Sequence, residues 1–228
     1  MERIIVNRPG AFSVQAAADS RRSEFDIKNE AIMTKKLPVS TVFIGDSITH
    51  FWELDAFFVK DKGLIVNRGI AGDSTEFVMK RFEADVLQLR PENVVLKIGV
   101  NDIWVLEDYP WVIGPRKHSH EEIIHPIISR ISKMIDLAIE QNINIAVCSI
   151  LPSNMTWTAH NLERNSIIAE INQRLKQTSY EKKAIYVDFH SHFADSDGLT
   201  LRNGLTDDGL HPHVVGYEIM AQVLSNTL

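Results

Sequence analysis

Residues 41–47 read Thr-Val-Phe-Ile-Gly-Asp-Ser, a short apolar run rich in β-branched residues that ends in a polar turn. A run of this kind is typical of a buried strand, and the glycine after it marks the strand's end. The turn places the hydroxyl of Ser47 directly beyond that end. Because ligands of open parallel sheets sit outside the carboxyl ends of the strands, this stretch predicts both a strand and a candidate site.

Similar apolar runs recur along the chain and alternate with segments of helical periodicity. We predict strands at Thr41–Ile44, Leu64–Asn67, Asn93–Ile98, Asn144–Ile150 and Ala184–Asp188. We predict helices at Glu24–Lys36, Glu76–Arg90, Glu121–Gln141, Leu162–Tyr180 and Val214–Leu224. Asp73, Ser74 and Thr75 are candidate N-caps of the second helix. This alternation predicts an α/β fold in which a parallel five-stranded sheet is covered by helices on both faces.

Length and composition are those of a globular chain with a substantial core. The 228 residues are 44% hydrophobic and 24% charged, which suits one α/β domain and is short for two. We find no internal repeat, low-complexity tract or linker in the sequence. The expected organisation is one domain over residues 1–228, in which residues 1–40 form an N-terminal helical extension packed on the sheet.

Charge and cysteine content narrow the classes of function. The net charge of −6 comes with mixed signs throughout, so there is no basic stripe for nucleic acid. The one cysteine, Cys148, lies in an apolar run and is expected to be buried. Because a single cysteine cannot form a disulfide within the chain, a cytoplasmic location is favoured. No signal-like apolar segment and no membrane-spanning run are expected. The sequence does not decide whether the protein is a monomer or a homodimer.

Three residues have the chemistry of a serine nucleophile and its activating pair. Asp208-Gly209-Leu210-His211 supplies a carboxylate and an imidazole three residues apart. A serine hydroxyl needs a base in hydrogen-bond reach, and that base needs a partner that fixes its tautomer. The glycine turn would let Asp208 fold back to Nδ1 of His211 and leave Nε2 for Ser47. Asp207 is the alternative acid.

Acyl transfer also requires hydrogen-bond donors aimed at the developing oxyanion. The candidates are the backbone N–H groups of Ser47 and Gly72 and the side-chain amide of Asn101. Gly72 lets a substrate approach the backbone before a helix, and Asn101 offers a neutral donor after a strand. The alternatives are that Gly72 is a turn glycine and that Asn101 is a helix cap.

These motifs together resemble the signature blocks of the SGNH (GDSL-type) hydrolases, and the likeness runs from about Val42 to Gly216. It is carried by Gly45-Asp46-Ser47, Gly72, Gly99-Val100-Asn101-Asp102 and Asp208-Gly209-Leu210-His211. Other stretches are similar to the bacterial branch related to platelet-activating-factor acetylhydrolase. The resemblance implies a flavodoxin-like three-layer α/β/α sandwich and a metal-free, cofactor-free esterase. It also implies a nucleophile at Ser47, a triad completed by Asp208 and His211, and an oxyanion hole from Ser47, Gly72 and Asn101.

The sequence departs from the family pattern next to the third block. Val100 stands where many relatives have a small hydroxyl residue, and a long aromatic segment, Ile103 to His120, follows. Such a segment beyond a strand end is typical of the wall of a ligand pocket, although a self-packed surface loop is the alternative. The expected pocket residues are Asp46, Trp104, Trp111 and Leu210.

Two other patterns would indicate a different ligand. Asp188, His190 and His192 would share one side of a continuing strand and, with His118 and His120, could suggest a metal site; we interpret them as a solvated edge. The glycine-rich stretch at residues 69–75 resembles a phosphate cradle. It lacks the lysine of a P-loop and the third glycine of a dinucleotide fingerprint. We therefore expect no metal and no cofactor.

The resulting hypothesis is a cytoplasmic serine esterase that removes short acyl groups, in particular acetyl, from a small or sugar-like alcohol through an acyl-enzyme. One alternative is a lysophospholipase or thioesterase for longer chains, with residues 104–111 as the acyl groove. A second is a flavodoxin-like module that binds a flavin or a phosphorylated ligand without turnover. A third, an inactive carbohydrate-binding relative, is disfavoured because every catalytic position is filled.

Overall fold

A computed structural model of the chain describes residues 5–12, 16–59, 63–107 and 119–228. Its five strands are β1 (Val39–Gly45), β2 (Leu64–Gly69), β3 (Asn93–Lys97), β4 (Asn144–Cys148) and β5 (Ile185–Val187). They form one parallel sheet in the order β2-β1-β3-β4-β5. The predicted parallel five-stranded sheet is therefore confirmed, and the chain reverses its direction of travel across the sheet between β1 and β3, where such folds open a crevice.

Helices connect the strands and lie on both faces of the sheet. They are α1 (Arg22–Thr34), α2 (Ser47–His50), α3 (Leu54–Phe57), α4 (Thr75–Asp85), α5 (His120–Glu140), α6 (Asn161–Lys182), α7 (His190–Phe193) and α8 (Val214–Thr227). Short 3₁₀ helices lie at Ala17–Ser20, Leu87–Leu89 and Val100–Leu106. The five predicted helices correspond to α1, α4, α5, α6 and α8. Sequence periodicity missed α2, α3 and α7, because a helix of 4 residues is too short to show any.

The pleat of β1 divides the core between the two faces. Val42 and Ile44 join a cluster that contains Phe82 of α4 and the apolar residues of α5 and α6. Phe43 points to the other face and joins a cluster with Met220 of α8. Successive side chains of a strand point to opposite sides, so one short run anchors both helical layers. This arrangement is the expected three-layer α/β/α sandwich.

Helix α1 lies beside the β2 edge of the sheet. Asn29 Oδ1 accepts hydrogen bonds from the guanidinium of Arg68 in β2, at 2.7 Å from Nη2.

Cys148 is buried at the end of β4, and burial raises the pKa of its thiol. No helix among the described residues is long and apolar enough to cross a membrane.

Candidate active site

The turn after β1 holds Ser47 at the carboxyl edge of the sheet. Asp46 is the N-cap of α2, and its Oδ1 accepts a hydrogen bond from Ile48 N–H at 3.0 Å. A Cβ at Gly45 would lie 1.9 Å from the carbonyl oxygen of Lys97, so only glycine allows β1 to approach β3 this closely. Asp46 is completely buried and does not line the cleft, which corrects its assignment as a pocket residue.

The structure brings Ser47, His211 and Asp208 into one hydrogen-bonded chain. Asp208 Oδ2 lies 2.5 Å from Nδ1 of His211, and Nε2 of His211 lies 2.8 Å from Oγ of Ser47. Between them Gly209 has φ +81°, a left-handed conformation that glycine adopts without strain. The turn folds as the spacing predicted, and the acid in contact with the imidazole is Asp208, not the alternative Asp207.

The surroundings of Asp208 keep its carboxylate ionised. Burial acts to raise the pKa of Asp208, but hydrogen bonds from the imidazole of His211 and from the backbone N–H groups of His211 and Leu210 hold that pKa below its ordinary value. An ionised partner at Nδ1 favours the tautomer that carries its proton there, which leaves Nε2 free to accept the Ser47 proton. The chain can therefore activate a serine hydroxyl.

The other two candidate donors line the same cleft as Ser47. Gly72 follows β2 with φ +79°, and Asn101 lies in the 3₁₀ helix after β3. Asn101 Nδ2 donates to the backbone carbonyl of Asp73 at 2.9 Å. Ser47 is the first residue of α2, so its N–H has no acceptor within that helix. Ser47, Gly72 and Asn101 line the same cleft.

This cleft has a volume of about 550 Å³ and an aromatic wall. It is lined by Ser47, Phe51, Ala71, Gly72, Asn101, Trp104, Val105, Trp157, Asp208, Leu210 and His211. The predicted pocket residues Trp104 and Leu210 are among them, whereas Trp111 lies outside the described residues, as does most of the aromatic segment.

Sequence reasoning missed two aromatic residues of the cleft. Trp157 stacks on Trp104 with ring centroids 5.6 Å apart and planes at 22°, and Phe51 lies edge-on to the imidazole of His211 at 5.6 Å. A signal for Trp157 existed, because it belongs to the loop after β4, and that strand ends at the same edge of the sheet as β1 and β3. Phe51 follows directly on the unpredicted helix α2.

Buried carboxylates tie the loops around the cleft together. Asp73 accepts a hydrogen bond from Nε of the buried Arg81 at 2.8 Å, yet burial raises the pKa of Asp73 to about 6. Asp102 accepts hydrogen bonds from Thr75 N–H at 3.0 Å and from Thr75 Oγ1 at 2.5 Å. The N-cap residue of α4, Ser74, makes no side-chain capping bond. Ser74, one of the three N-cap candidates, is thus the N-cap residue, but the side chain that accepts the Thr75 N–H is that of Asp102.

Helix α2 also supports the loop that contains Gly72. His50, in the last position of α2, accepts a hydrogen bond at Nδ1 from Ala71 N–H, at 3.1 Å. Burial lowers the pKa of His50, and the nearby charge of Arg21 lowers it further. A neutral imidazole is the form that can accept this bond. One helix of 4 residues thus carries Ser47 and holds the neighbouring Gly72 loop.

The geometry assumed for a metal site at the end of β5 is absent. β5 ends at Val187, one residue before its predicted end, and His190 begins α7, so Asp188, His190 and His192 do not alternate along a strand. Among the described residues, which include His120 and exclude His118, no group of three or more His, Cys, Asp or Glu side chains is placed to hold a metal ion. That the protein needs no metal stays a prediction.

Comparison with known proteins gives concordant results. Residues 43–219 match the model of the GDSL-like lipase/acylhydrolase family. The chain is 23% identical over 162 residues to an acetylxylan esterase of Geobacillus stearothermophilus, covering 69% of this chain and 68% of that protein.

Solved structures with the same fold include a candidate acylhydrolase of Bacteroides fragilis. It is 26% identical with a TM-score of 0.70, over 89% of this chain and 95% of that one. A Streptococcus pneumonia protein described as a candidate platelet activating factor is 23% identical with a TM-score of 0.72, over 91% of this chain and 92% of that one. With the family model matching most of its length, the chain belongs to the GDSL-like lipase/acylhydrolase family and is a carboxylic-ester hydrolase.

Proposed function

We propose that Ser47 is the nucleophile of a two-step ester hydrolysis. Its Oγ attacks the ester carbonyl while Nε2 of His211 takes the hydroxyl proton, and the alcohol leaves with that proton to give an acyl-enzyme. Water then attacks the acyl group while Nε2 of His211 takes its proton, the bond to Ser47 Oγ breaks, and Oγ regains that proton as the carboxylic acid leaves. The observation that carries this proposal is the unbroken chain from Asp208 Oδ2 through His211 to Ser47 Oγ at the wall of the cleft.

The tetrahedral intermediate requires donors for its oxyanion, which we assign to Ser47 N–H, Gly72 N–H and the Asn101 amide. The support is that all three residues line the cleft, and that the Asn101 amide already presents its nitrogen, not its oxygen, to the Asp73 carbonyl beside Gly72. Donors of this kind are worth roughly 10²–10³ in kcat each.

For the substrate we propose short acyl esters, in particular acetyl esters, of a small or sugar-like alcohol. The acetylxylan esterase relative supports the acetyl group and the sugar. The stacked pair of Trp104 and Trp157 supports a ring-shaped alcohol, because the flat C–H face of a sugar packs well on an exposed aromatic surface, and Trp157 is 53% exposed. A cytoplasmic location stays a prediction.

The apolar wall of the cleft also favours a second candidate, hydrolysis of longer acyl esters. Phe51, Trp104, Val105, Trp157 and Leu210 would suit an alkyl chain as well as a sugar. The experiment that separates the two is a nitrophenyl ester series from acetyl to dodecanoyl, run beside acetylated xylo-oligosaccharides. We expect kcat/KM to be highest for acetyl and to fall with chain length. A maximum at octanoyl or beyond would support the lysophospholipase or thioesterase alternative.

A fluorophosphonate probe tests the nucleophile independently of the substrate. The wild type should take up one label, and Ser47→Ala should take up none. The matched control is Ser191→Ala, which removes an exposed serine that does not line the cleft. Labelling that persists in Ser47→Ala would place the nucleophile elsewhere.

A further inference from the structure

The Asn101 amide is held in one orientation by two partners of opposite kind. Its Oδ1 accepts a hydrogen bond from the indole Nε1–H of Trp104 at 3.0 Å, and its Nδ2 donates to the carbonyl oxygen of Asp73 at 2.9 Å. An indole N–H can only donate and a backbone carbonyl can only accept. A rotation of the amide by half a turn would therefore place donor against donor and acceptor against acceptor.

The local backbone explains why Trp104 can reach Asn101. Both lie in the 3₁₀ helix Val100–Leu106, and a 3₁₀ helix has three residues per turn, so side chains three positions apart lie on the same side. A regular α-helix would offset the two side chains by a further sixty degrees or so. The unusual helix after β3 is thus what aligns the indole with the amide.

Residues outside the 3₁₀ helix hold the indole of Trp104 in place. The guanidinium of Arg164 in α6 lies 5.0 Å from the Trp104 ring centroid, and Trp157 stacks on the same ring. Arg164 forms an ion pair with Glu107, and their side chains are only 1% and 3% exposed. A cation–π contact from a desolvated, paired arginine restrains the ring more than a mobile surface residue would.

From this geometry we propose that Trp104 is a positioning residue for the oxyanion hole. Its N–H holds Asn101 Oδ1 away from the reacting carbonyl, so that the second N–H of Nδ2, beyond the one bonded to Asp73, is available to the oxyanion. Without the indole N–H, the flipped amide would present its oxygen to a developing negative charge. The inference rests on the proposed role of Asn101 as an oxyanion donor.

The test is Trp104→Phe, which keeps an aromatic ring beside Trp157 and Arg164 and removes the N–H. With nitrophenyl acetate we expect kcat to fall roughly three- to tenfold, the range for one neutral hydrogen bond, and KM to change less than twofold. The loss should disappear when Trp104→Phe is made in the Asn101→Ala background, because nothing is then left to orient. A full additional loss in that background, or an unchanged kcat in Trp104→Phe, overturns the inference.

Two further variants keep the test decisive. Trp52→Phe removes another indole N–H, one that has no hydrogen-bond partner among the described residues, and should leave kcat within twofold. If Trp104→Phe does not fold, benzothienylalanine incorporated at position 104 retains the bicyclic ring and lacks the N–H, and the same loss is expected. An unchanged kcat in Asn101→Ala would instead show that the oxyanion assignment itself has failed. A reduced kcat in Asn101→Ala with no loss in Trp104→Phe overturns only the role of Trp104.

Discussion

His211 Nε2 lies 2.8 Å from Ser47 Oγ, although 164 residues separate the two in the chain. The contact exists because the turn after β1 and the loop before α8 meet at the carboxyl edge of one parallel sheet. Neither side chain can do the proposed chemistry alone. The serine needs a base to take its proton, and the imidazole needs a nucleophile to activate.

The first prediction concerns the joint action of this pair. Ser47→Ala and His211→Ala should each lower kcat by about 10⁴-fold or more, and the double variant should lose little beyond either single one, because the residues act as a unit. Initial rates with nitrophenyl acetate measure all three. Losses that multiply would argue against a shared triad.

The second prediction separates a role of Asn101 in catalysis from a role in stability. If its amide stabilises the oxyanion more than the ground-state ester, Asn101→Ala should lower kcat by roughly 10²–10³ with KM nearly constant. Loss of the hydrogen bonds to Asp73 and from Trp104 should lower the free energy of unfolding by only about 1–2 kcal/mol, because a neutral hydrogen bond contributes about 1 kcal/mol. Thermal melts and kinetics on the same preparation measure both. A lower melting temperature with normal kcat would return Asn101 to a purely structural role.

The third prediction concerns His50, whose Nδ1 accepts the N–H of Ala71. His50→Ala removes that acceptor and loosens the Gly72 loop, so kcat should fall roughly three- to tenfold while fluorophosphonate still labels Ser47. Burial and then Arg21 lower the pKa of His50, and Glu24 raises it in part. The imidazole is therefore neutral at neutral pH and becomes charged only when the pH falls below its ordinary pKa of 6.5.

The pH dependence of this effect provides its control. Protonated His50 cannot accept the Ala71 N–H, so the ratio of wild-type to His50→Ala activity should be largest where His50 is neutral and should shrink toward one as acid protonates it, below pH 6.5. Protonation of His211 affects both proteins equally and cancels in the ratio. A ratio of one at neutral pH, where His50 is uncharged, would show that the hydrogen bond does not contribute to the rate.

The fourth prediction concerns the pH dependence of stability. Burial raises the pKa of Asp102 from 3.8 to about 6, although its bonds from Thr75 act to lower it. A pKa that is raised on folding gives a stabilising contribution that is complete below about pH 4 and is lost as the pH rises through about 6. Asp102→Asn keeps an oxygen for Thr75 N–H and cannot ionise, so it should become more stable relative to the wild type across this window.

Urea unfolding at several pH values measures that difference. The relative gain of Asp102→Asn should reach at most about 3 kcal/mol above pH 6, the equivalent of the pKa shift. Apart from Asp73, whose charge acts on Asp102, the titrating groups are common to the two proteins and cancel to first order. A difference that is independent of pH would mean that Asp102 remains ionised in the folded state throughout.

The last prediction concerns metals. If the triad of Ser47, His211 and Asp208 performs the hydrolysis, EDTA should leave kcat unchanged. His190→Ala and His192→Ala should alter kcat only modestly. The His211→Ala variant serves as the comparison for an essential histidine. Loss of activity on chelation that Zn²⁺ or Mn²⁺ restores would revive a metal-dependent mechanism.

The sequence by itself determined the features that depend on neighbouring residues. The apolar run before Gly45 specified β1, since a buried parallel strand needs a continuous hydrophobic stretch. The turn Asp208-Gly209-Leu210-His211 specified a carboxylate that folds back on its imidazole, because three residues with a glycine allow that geometry locally. The order of these motifs along alternating strands and helices was enough to predict that they meet at one sheet edge.

Only the tertiary structure decided the contacts between loops that follow different strands. Three such contacts join segments that are far apart in the sequence. They are the capping of Thr75 by Asp102, the hydrogen bond from Ala71 to His50 and the stacking of Trp157 on Trp104. Asp46 was predicted to line the pocket, and packing of the sheet buries it completely. Such contacts depend on how neighbouring strand ends are spaced and on which loop covers which. No local sequence pattern predicts these contacts, because packing of the whole core sets the distances between the strands.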